Sequence, residues 1–194
     1  MNFYELGKYK EKITNMFVAN EDIVDLIMPI PDDNRFELGD NFLGGKYKTV
    51  ENGVEQTVEL IGHCFDVPFI YATIPDNRNA IFIDSNISRA EGESIKEVTI
   101  IIEIMCHKSN IKMDSQDRIK YVKKGFSGNR LDMIVQSVGL QLNSSNKFGL
   151  GKFKVATRVP VKSYFANEEY FGKVLTYTCE DFMTDYAARS FNGD

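Results

Sequence analysis

The stretch that decides the fold reads IKEVTIIIEIMCHK and spans residues 95–108. From residue 98 to residue 105, aliphatic residues recur at every second position and many side chains are β-branched, which is the pattern of a β-strand. Because Ile101 and Met105 on the second face are also apolar, we expect both faces of the strand Lys96–His107 to be at least partly covered. The first face carries Val98, Ile100, Ile102 and Ile104, and the second carries Thr99, Ile101, Glu103 and Met105.

Two other segments have helical periodicity. The segment GNRLDMIVQSVGLQLN, residues 128–143, places Leu131, Ile134, Val135, Val138 and Leu142 on one stripe, which predicts a helix of about 13 residues. Residues 4–28 also read as helical. Asn20, followed by two acidic residues, is a typical N-cap, so we expect this N-terminal helix to be broken there.

Further strands and connections are expected from shorter patterns. The last strand pair is predicted at Lys152–Val161 and Lys173–Asp181, with its turn near residues 166–169. Ser85–Ser94 reads as a polar connection, and Ser109–Ser127 reads as a basic, irregular one. Short strands or apolar runs are predicted at Lys46–Val50, Gln56–Ile61, Phe69–Ile74 and Ala80–Asp84, the last two around a turn at Pro75-Asp76-Asn77.

Together these elements predict an α+β fold. A mixed, mostly antiparallel sheet is flanked by an N-terminal helix and one amphipathic helix, with extended hairpins and loops. A chain of 194 residues suits a single domain, here residues 1–183, with a long loop and hairpin insertion at about 31–94 and a C-terminal tail at 184–194. The net charge of −5 argues against a protein whose main task is to grip phosphates.

Two His-Cys pairs invite a metal or thiol interpretation. His63-Cys64 and Cys106-His107 supply the ligand types of a tetrahedral zinc site. However, adjacent residues on a strand point to opposite faces, so each pair would offer only one ligand to each side. We therefore expect ordinary strand-end residues, no metal and no cofactor, and we expect the three cysteines to be reduced thiols.

A basic cluster lies in this acidic chain between the predicted long strand and helix. Tyr121 and Phe126 are interleaved with it, which is a weak feature of nucleic-acid binding. The favoured interpretations are a solvated loop or a contact with an acidic surface of a neighbouring copy. The candidate subunit-contact or DNA-facing residues are Arg118, Lys120, Lys123, Lys124 and Arg130.

The order of the elements gives a family likeness. An N-terminal helix, the strand IKEVTIIIEIMCHK, the helix GNRLDMIVQSVGLQLN and a final hairpin, GKFKVATRVPVKSYF with GKVLTYTCEDF, resemble the small neck and tail-terminator proteins of tailed bacteriophages. The aromatic-bearing strand Leu175–Cys179 looks like the closing strand of that family. The likeness covers residues 95–183 well and the N-terminal helix loosely, whereas residues 31–94 are longer than in the compact family members.

The resemblance implies a structural virion protein without catalytic residues. Copies would form a ring, by family resemblance a hexamer, that ends the tail tube and joins it to the neck. Its partners would be itself, the tail tube protein and a head-closure protein, and DNA would pass the lumen without tight binding. The ring would be assembled in the host cytoplasm. The alternatives are a head-closure or adaptor connector of the same neck, a small metal- or thiol-dependent hydrolase, and a stand-alone nucleic-acid binder.

Overall fold

The computed structural model describes residues 4–29, 36–51, 53–68, 77–91, 95–143, 153–156 and 161–182. Within these residues the chain is α+β, with a mixed sheet, which confirms the expected fold class. The helices are α1 Tyr4–Val18, α2 Glu21–Ile27, α3 Leu38–Leu43, α4 Lys108–Ile111, α5 Ser115–Lys123 and α6 Arg130–Asn143. The strands are β1 Gly45–Glu51, β2 Val54–Leu60, β3 Cys64–Phe65, β4 Ala80–Glu91, β5 Ile95–His107, β6 Phe153–Val155, β7 Val161–Phe165 and β8 Tyr170–Phe182.

The six-stranded sheet is ordered β3-β4-β5-β8, with β6 and β7 both pairing with the outer side of β8. All of its pairings are antiparallel except the short parallel pair of β3 with β4. β5 is thus flanked by β8 along its whole length and by β4 from Ile95 to Met105. This central position agrees with the apolar residues that the sequence places on both of its faces.

The main core lies between the sheet and the helices α1, α2 and α6. The expected stripe of α6 is confirmed, because Leu131, Ile134, Val138 and Leu142 are all buried there. They pack with the first face of β5 and with residues of β4 and β8 on the same side, among them Ile81, Ile83, Leu175 and Tyr177. A smaller apolar cluster on the second face joins Ala80, Phe82, Met105 and Tyr170.

The break in the N-terminal helix is confirmed. The side chain of Asn20 accepts hydrogen bonds from the main-chain N–H groups of Asp22 and Ile23 at 3.1 and 3.2 Å, so it caps α2. The turn after β7 is confirmed too, since Asn167 Oδ1 accepts from the N–H groups of Glu169 and Tyr170. In the described residues, no helix has the length and apolar character needed to cross a membrane.

Two expected connections are in fact regular structure. β4 continues through the polar stretch to Glu91, because those residues pair with β5, with a bulge between Ile87 and Arg89. The predicted irregular segment Ser109–Ser127 contains α4 and α5. Asp114 caps α5 by accepting from the N–H of Asp117 at 2.8 Å. The apolar run Phe69–Ile74 lies outside the described residues.

Two strands take the place of the single strand predicted at Lys152–Val161. β6 ends at Val155 and β7 begins at Val161, and each pairs with a different part of β8. The expected strands at Lys46–Val50 and Gln56–Ile61 are confirmed as the hairpin of β1 and β2. β4 lies within the expected insertion at about 31–94, but it belongs to the central sheet. Among the described residues in this range, only residues that precede β4 stand apart from that sheet.

Candidate interaction surfaces

α5 is fastened to α2 by two of the five basic residues singled out from the sequence. Lys120 Nζ lies 2.6 Å from Asp25 Oδ2, and Lys124 Nζ pairs with Asp22. The hydrogen bond from Lys120 to Asp25 is the main reason why the pKa of Lys120 is raised. Both lysines keep partly exposed side chains, but their charges are matched within the same molecule.

Arg130 does not belong to an exposed surface, because its side chain is buried and only 5% of the residue is exposed. Its Nε donates to the carbonyl of Asn110 at 2.8 Å, and its Nη1 donates to the carbonyl of Leu26 at 3.3 Å. Asp117 Oδ2 lies 3.9 Å from its Nη2. The expectation that Arg130 faces DNA or another subunit is therefore corrected: it joins α2, α4 and α6 inside the fold.

The two remaining basic residues, Arg118 and Lys123, are exposed on the outward side of α5. Between them lie Ile119 and Val122, which are 52% and 51% exposed. Positions three and four apart share one side of a helix, so these four residues form a continuous surface, the α5 face. Its role in contacting a subunit or DNA stays a prediction.

The two His-Cys pairs are connected through a third residue, Asn79. His63 Nδ1 lies 2.7 Å from the carbonyl oxygen of Asn79, and the main-chain N–H of His107 donates to Asn79 Oδ1 at 3.2 Å. Asn79 Nδ2 donates to the carbonyl of Ile27, at the end of α2, at 2.9 Å. All three polar residues are buried. Through these hydrogen bonds, Asn79 connects the ends of β3, β4, β5 and α2.

The thiols of these pairs are poorly suited to nucleophilic chemistry. Cys64 and Cys106 are buried, and burial raises the pKa of each thiol to about 12. A thiol with so high a pKa stays protonated at neutral pH, whereas the thiolate is the reactive form. Among the described residues, no three His, Cys, Asp or Glu side chains come together in a way that could hold a metal ion.

The hairpin of β1 and β2 forms a separate two-stranded sheet. Its tip carries two apolar side chains in water, Val50 and Val54, which are 70% and 59% exposed. At its base the backbones of Gly44 and Gly62 touch, so that a Cβ on Gly44 would lie 2.3 Å from the main-chain nitrogen of Gly62. The hairpin therefore starts from a close backbone crossing that only glycine permits.

A groove of about 500 Å³ lies at the β7–β8 edge of the main sheet, between this edge and the helices α4 and α6. Phe165 and Phe171 meet edge to face in it, with ring centroids 5.2 Å apart. Phe165 is 75% exposed, the most exposed of the large apolar residues described. Three lysines border the groove: Lys108, Lys112 and Lys173.

This groove was not predicted from the sequence. Its walls come from three separate segments, residues 108–112, 129–131 and 163–173, and no pattern within one segment indicates its contact with the others. One local signal exists in hindsight: Phe165 is an aromatic residue beside the turn that joins β7 to β8, where no core position is available.

Comparison with known protein families finds a match over residues 20–179, to the model of the family named YomW. No curated protein matches the chain. The matched range runs from the cap of α2 almost to the end of β8, so it takes in the hairpin, the central sheet and the groove.

Proposed function

The chain belongs to the YomW family, a family of Bacillus phage genes of the SPBc2 type, and from this premise we propose that it is a structural virion protein. In this proposal, copies assemble into a homo-oligomeric ring at the junction of head and tail, where the ring ends the tail tube and joins it to the neck. The phage origin is consistent with the family. The ring and its position rest on the element order of residues 95–183 and on the surfaces described above.

One observation carries the proposal: the hairpin of β1 and β2 presents Val50 and Val54 to water, away from the six-stranded sheet. Burying exposed apolar area is worth roughly 25 cal/mol per Å², so such a tip favours a partner surface. A surface built for contact supports a role in assembly. The buried, protonated thiols Cys64 and Cys106 favour the same interpretation over a thiol-dependent hydrolase.

The proposal is tested in the phage that encodes the chain. We expect mass spectrometry to find the protein in purified virions, and we expect immunogold electron microscopy to place it at the neck. Deletion of the gene should leave filled heads and unjoined tails. A head-closure or adaptor role predicts a different product, in which the tails are of normal length and the heads lose their DNA. Normal, infectious virions from the deletion strain would contradict both structural roles.

The purified protein offers a second test. We expect it to be monomeric or weakly self-associating alone, and to form rings when the tail tube protein is added. Light scattering over a concentration series measures this directly. A stable dimer at low concentration, with no larger species under any condition, is incompatible with a ring subunit, because a closed two-fold dimer leaves no interface free for further growth.

A further inference from the structure

The hairpin precedes the strand at one edge of the six-stranded sheet, and the groove lies at the other edge. β2 leads through residues 61–63 directly into β3, the strand at one edge, while the groove adjoins β7 at the other edge. With strands spaced about 4.8 Å apart, the two edges are separated by four spacings, or about 19 Å. An extension at one edge and a recess at the other are the arrangement that a head-to-tail contact between copies requires.

The tip of the hairpin is apolar and acidic. Val50 and Val54 are exposed, and Glu55 beside them keeps 64% of its side-chain surface in water. Glu55 is paired with Lys48 at 3.1 Å, but both partners are highly exposed, and such a surface pair contributes only about 0–1 kcal/mol. Between residues 50 and 55 the sequence has two glutamates and no cation.

The groove has the complementary chemistry. Its floor is aromatic and aliphatic, from Phe165, Phe171 and Leu131, and its border is cationic. Lys173 is paired with Asp132, and Lys108 is paired with Glu169 at 3.0 Å. Within the described part of the chain, Lys112 makes no ion pair, so its charge is the one available to a visiting carboxylate.

We propose that the tip of the β1–β2 hairpin of one copy docks into the groove of a second copy. The two valines would cover the exposed face of Phe165, and Glu55 would approach Lys112. This inference rests on the proposed ring, for which it names the contact between subunits. Because the tip and the groove are different surfaces, the contact is heterologous, and repetition of such a contact produces a closed ring when the rotation between copies closes.

The contact is tested by cross-linking between full-length copies. A photo-reactive phenylalanine analogue is placed at Val54, and this protein is mixed at millimolar concentration with an isotope-labelled copy that lacks the analogue. We expect cross-links from residue 54 of one copy to residues 108–112 or 163–173 of the labelled copy. Cross-links that map only to other regions overturn the proposed contact and leave the ring intact as a hypothesis.

A charge exchange tests the polar half of the contact. Lys112→Glu and Glu55→Lys should each reduce the yield of intermolecular cross-links about tenfold, because each places like charges across the contact. The double variant should recover most of the yield. Lys8→Glu, at an exposed position on α1 that belongs neither to the hairpin nor to the lining of the groove, is the matched control and should have no effect.

The outcomes separate the two proposals. Loss of cross-links in the single variants and recovery in the double variant support the docking of tip into groove. If the singles behave like Lys8→Glu, the contact is wrong even where copies still associate. If neither the wild type nor any variant associates, alone or with the tail tube protein, both the proposed ring and the proposed contact are wrong. Circular dichroism of each variant verifies that the fold is kept.

Discussion

Arg130 Nη1 donates to the main-chain carbonyl of Leu26 at 3.3 Å, a contact between residues 104 positions apart. Leu26 lies in the last turn of α2, where carbonyl groups have no partner within the helix. That last turn contains no basic residue of its own, so the guanidinium supplies both a hydrogen bond and the positive charge that a helix C-terminus favours. Arg130, which was predicted to lie on a basic surface, is therefore a buried residue that connects α6 to the end of α2.

Replacement of Arg130 should destabilise the fold. We expect Arg130→Met to lower the free energy of unfolding by about 2–4 kcal/mol, because it leaves one buried and one partly buried carbonyl group without their donor. Arg118→Met makes the same chemical change on an exposed surface and should stay within about 0.5 kcal/mol of the wild type. Urea unfolding followed by circular dichroism measures both. Equal effects of the two substitutions would contradict the buried role of Arg130.

Asp132 gives the stability a dependence on pH. Burial acts to raise its pKa, but the hydrogen bonds from Lys173 and from the main-chain N–H of Asn129 outweigh burial, so the pKa is lowered from 3.8. A carboxyl group with a lowered folded-state pKa contributes stability above its unfolded pKa and loses it as the pH falls through the folded value. We therefore expect Asp132→Asn to cost about 1 kcal/mol at neutral pH, allowing for partial exposure, and less and less below about pH 4.

The control for this prediction is Asp114→Asn. Asp114 caps α5, and asparagine is an equally good N-cap, so little change is expected. Unfolding curves of both variants and of the wild type between pH 2.5 and 7, a range chosen to span carboxyl titration, supply the comparison. A difference between the wild type and Asp132→Asn that stays constant over this range would show that the carboxylate form of Asp132 has no special role.

The cysteines should be unreactive in the folded protein. With pKa values raised to about 12 by burial, Cys64 and Cys106 have about one ten-thousandth of their thiols ionised at pH 8, and Cys179 is buried as well. We expect a thiol-specific alkylating agent to modify none of the three quickly under native conditions and all of them in urea. Mass spectrometry counts the modified residues. Rapid alkylation of Cys106 in the folded protein would instead support the alternative of a thiol-dependent hydrolase.

The crossing of Gly44 and Gly62 should tolerate no side chain. A Cβ on Gly62 would lie 2.3 Å from the carbonyl oxygen of Leu43, and neither backbone can retreat cheaply. We expect Gly62→Ala to lower the free energy of unfolding by about 1–3 kcal/mol, the usual range for overpacking. Gly7→Ala, on α1 with nothing within 4 Å of the added atom, should be neutral or stabilising by up to about 1 kcal/mol. Thermal unfolding distinguishes them.

Much of the fold could be predicted because its central elements obey simple periodicities. β5 and α6 have strong patterns, and Asn20 has the residue type of an N-cap. α5 was missed because only Tyr121 among its nine residues is buried, so no apolar stripe exists to reveal it. Its remaining signal was local: Asp114 three residues before Asp117, a cap that composition alone does not distinguish from a polar loop.

The surfaces were harder to predict than the elements. The exposure of Arg118 and the burial of Arg130 depend on how α5 and α6 pack against α2, and both residues look alike in the sequence. The groove likewise exists only once β7 is folded back against β8 and α4. The two strands of the hairpin were predicted from the sequence, but their separation from the main sheet was not, because no local pattern indicates which strands a strand pairs with.

Because β8 comes late in the chain, β5 gains its second neighbouring strand late in biosynthesis. β5 is bordered by β4, which precedes it closely in the chain, and by β8, which comes off the ribosome about 75 residues later by the register of Ile100 with Tyr177. Until then one long side of β5 has no neighbour, and β7, with the groove beside it, has nothing to fold onto. In the proposed contact between copies, a nascent chain would therefore offer no groove to another copy's hairpin until β8 has been synthesised.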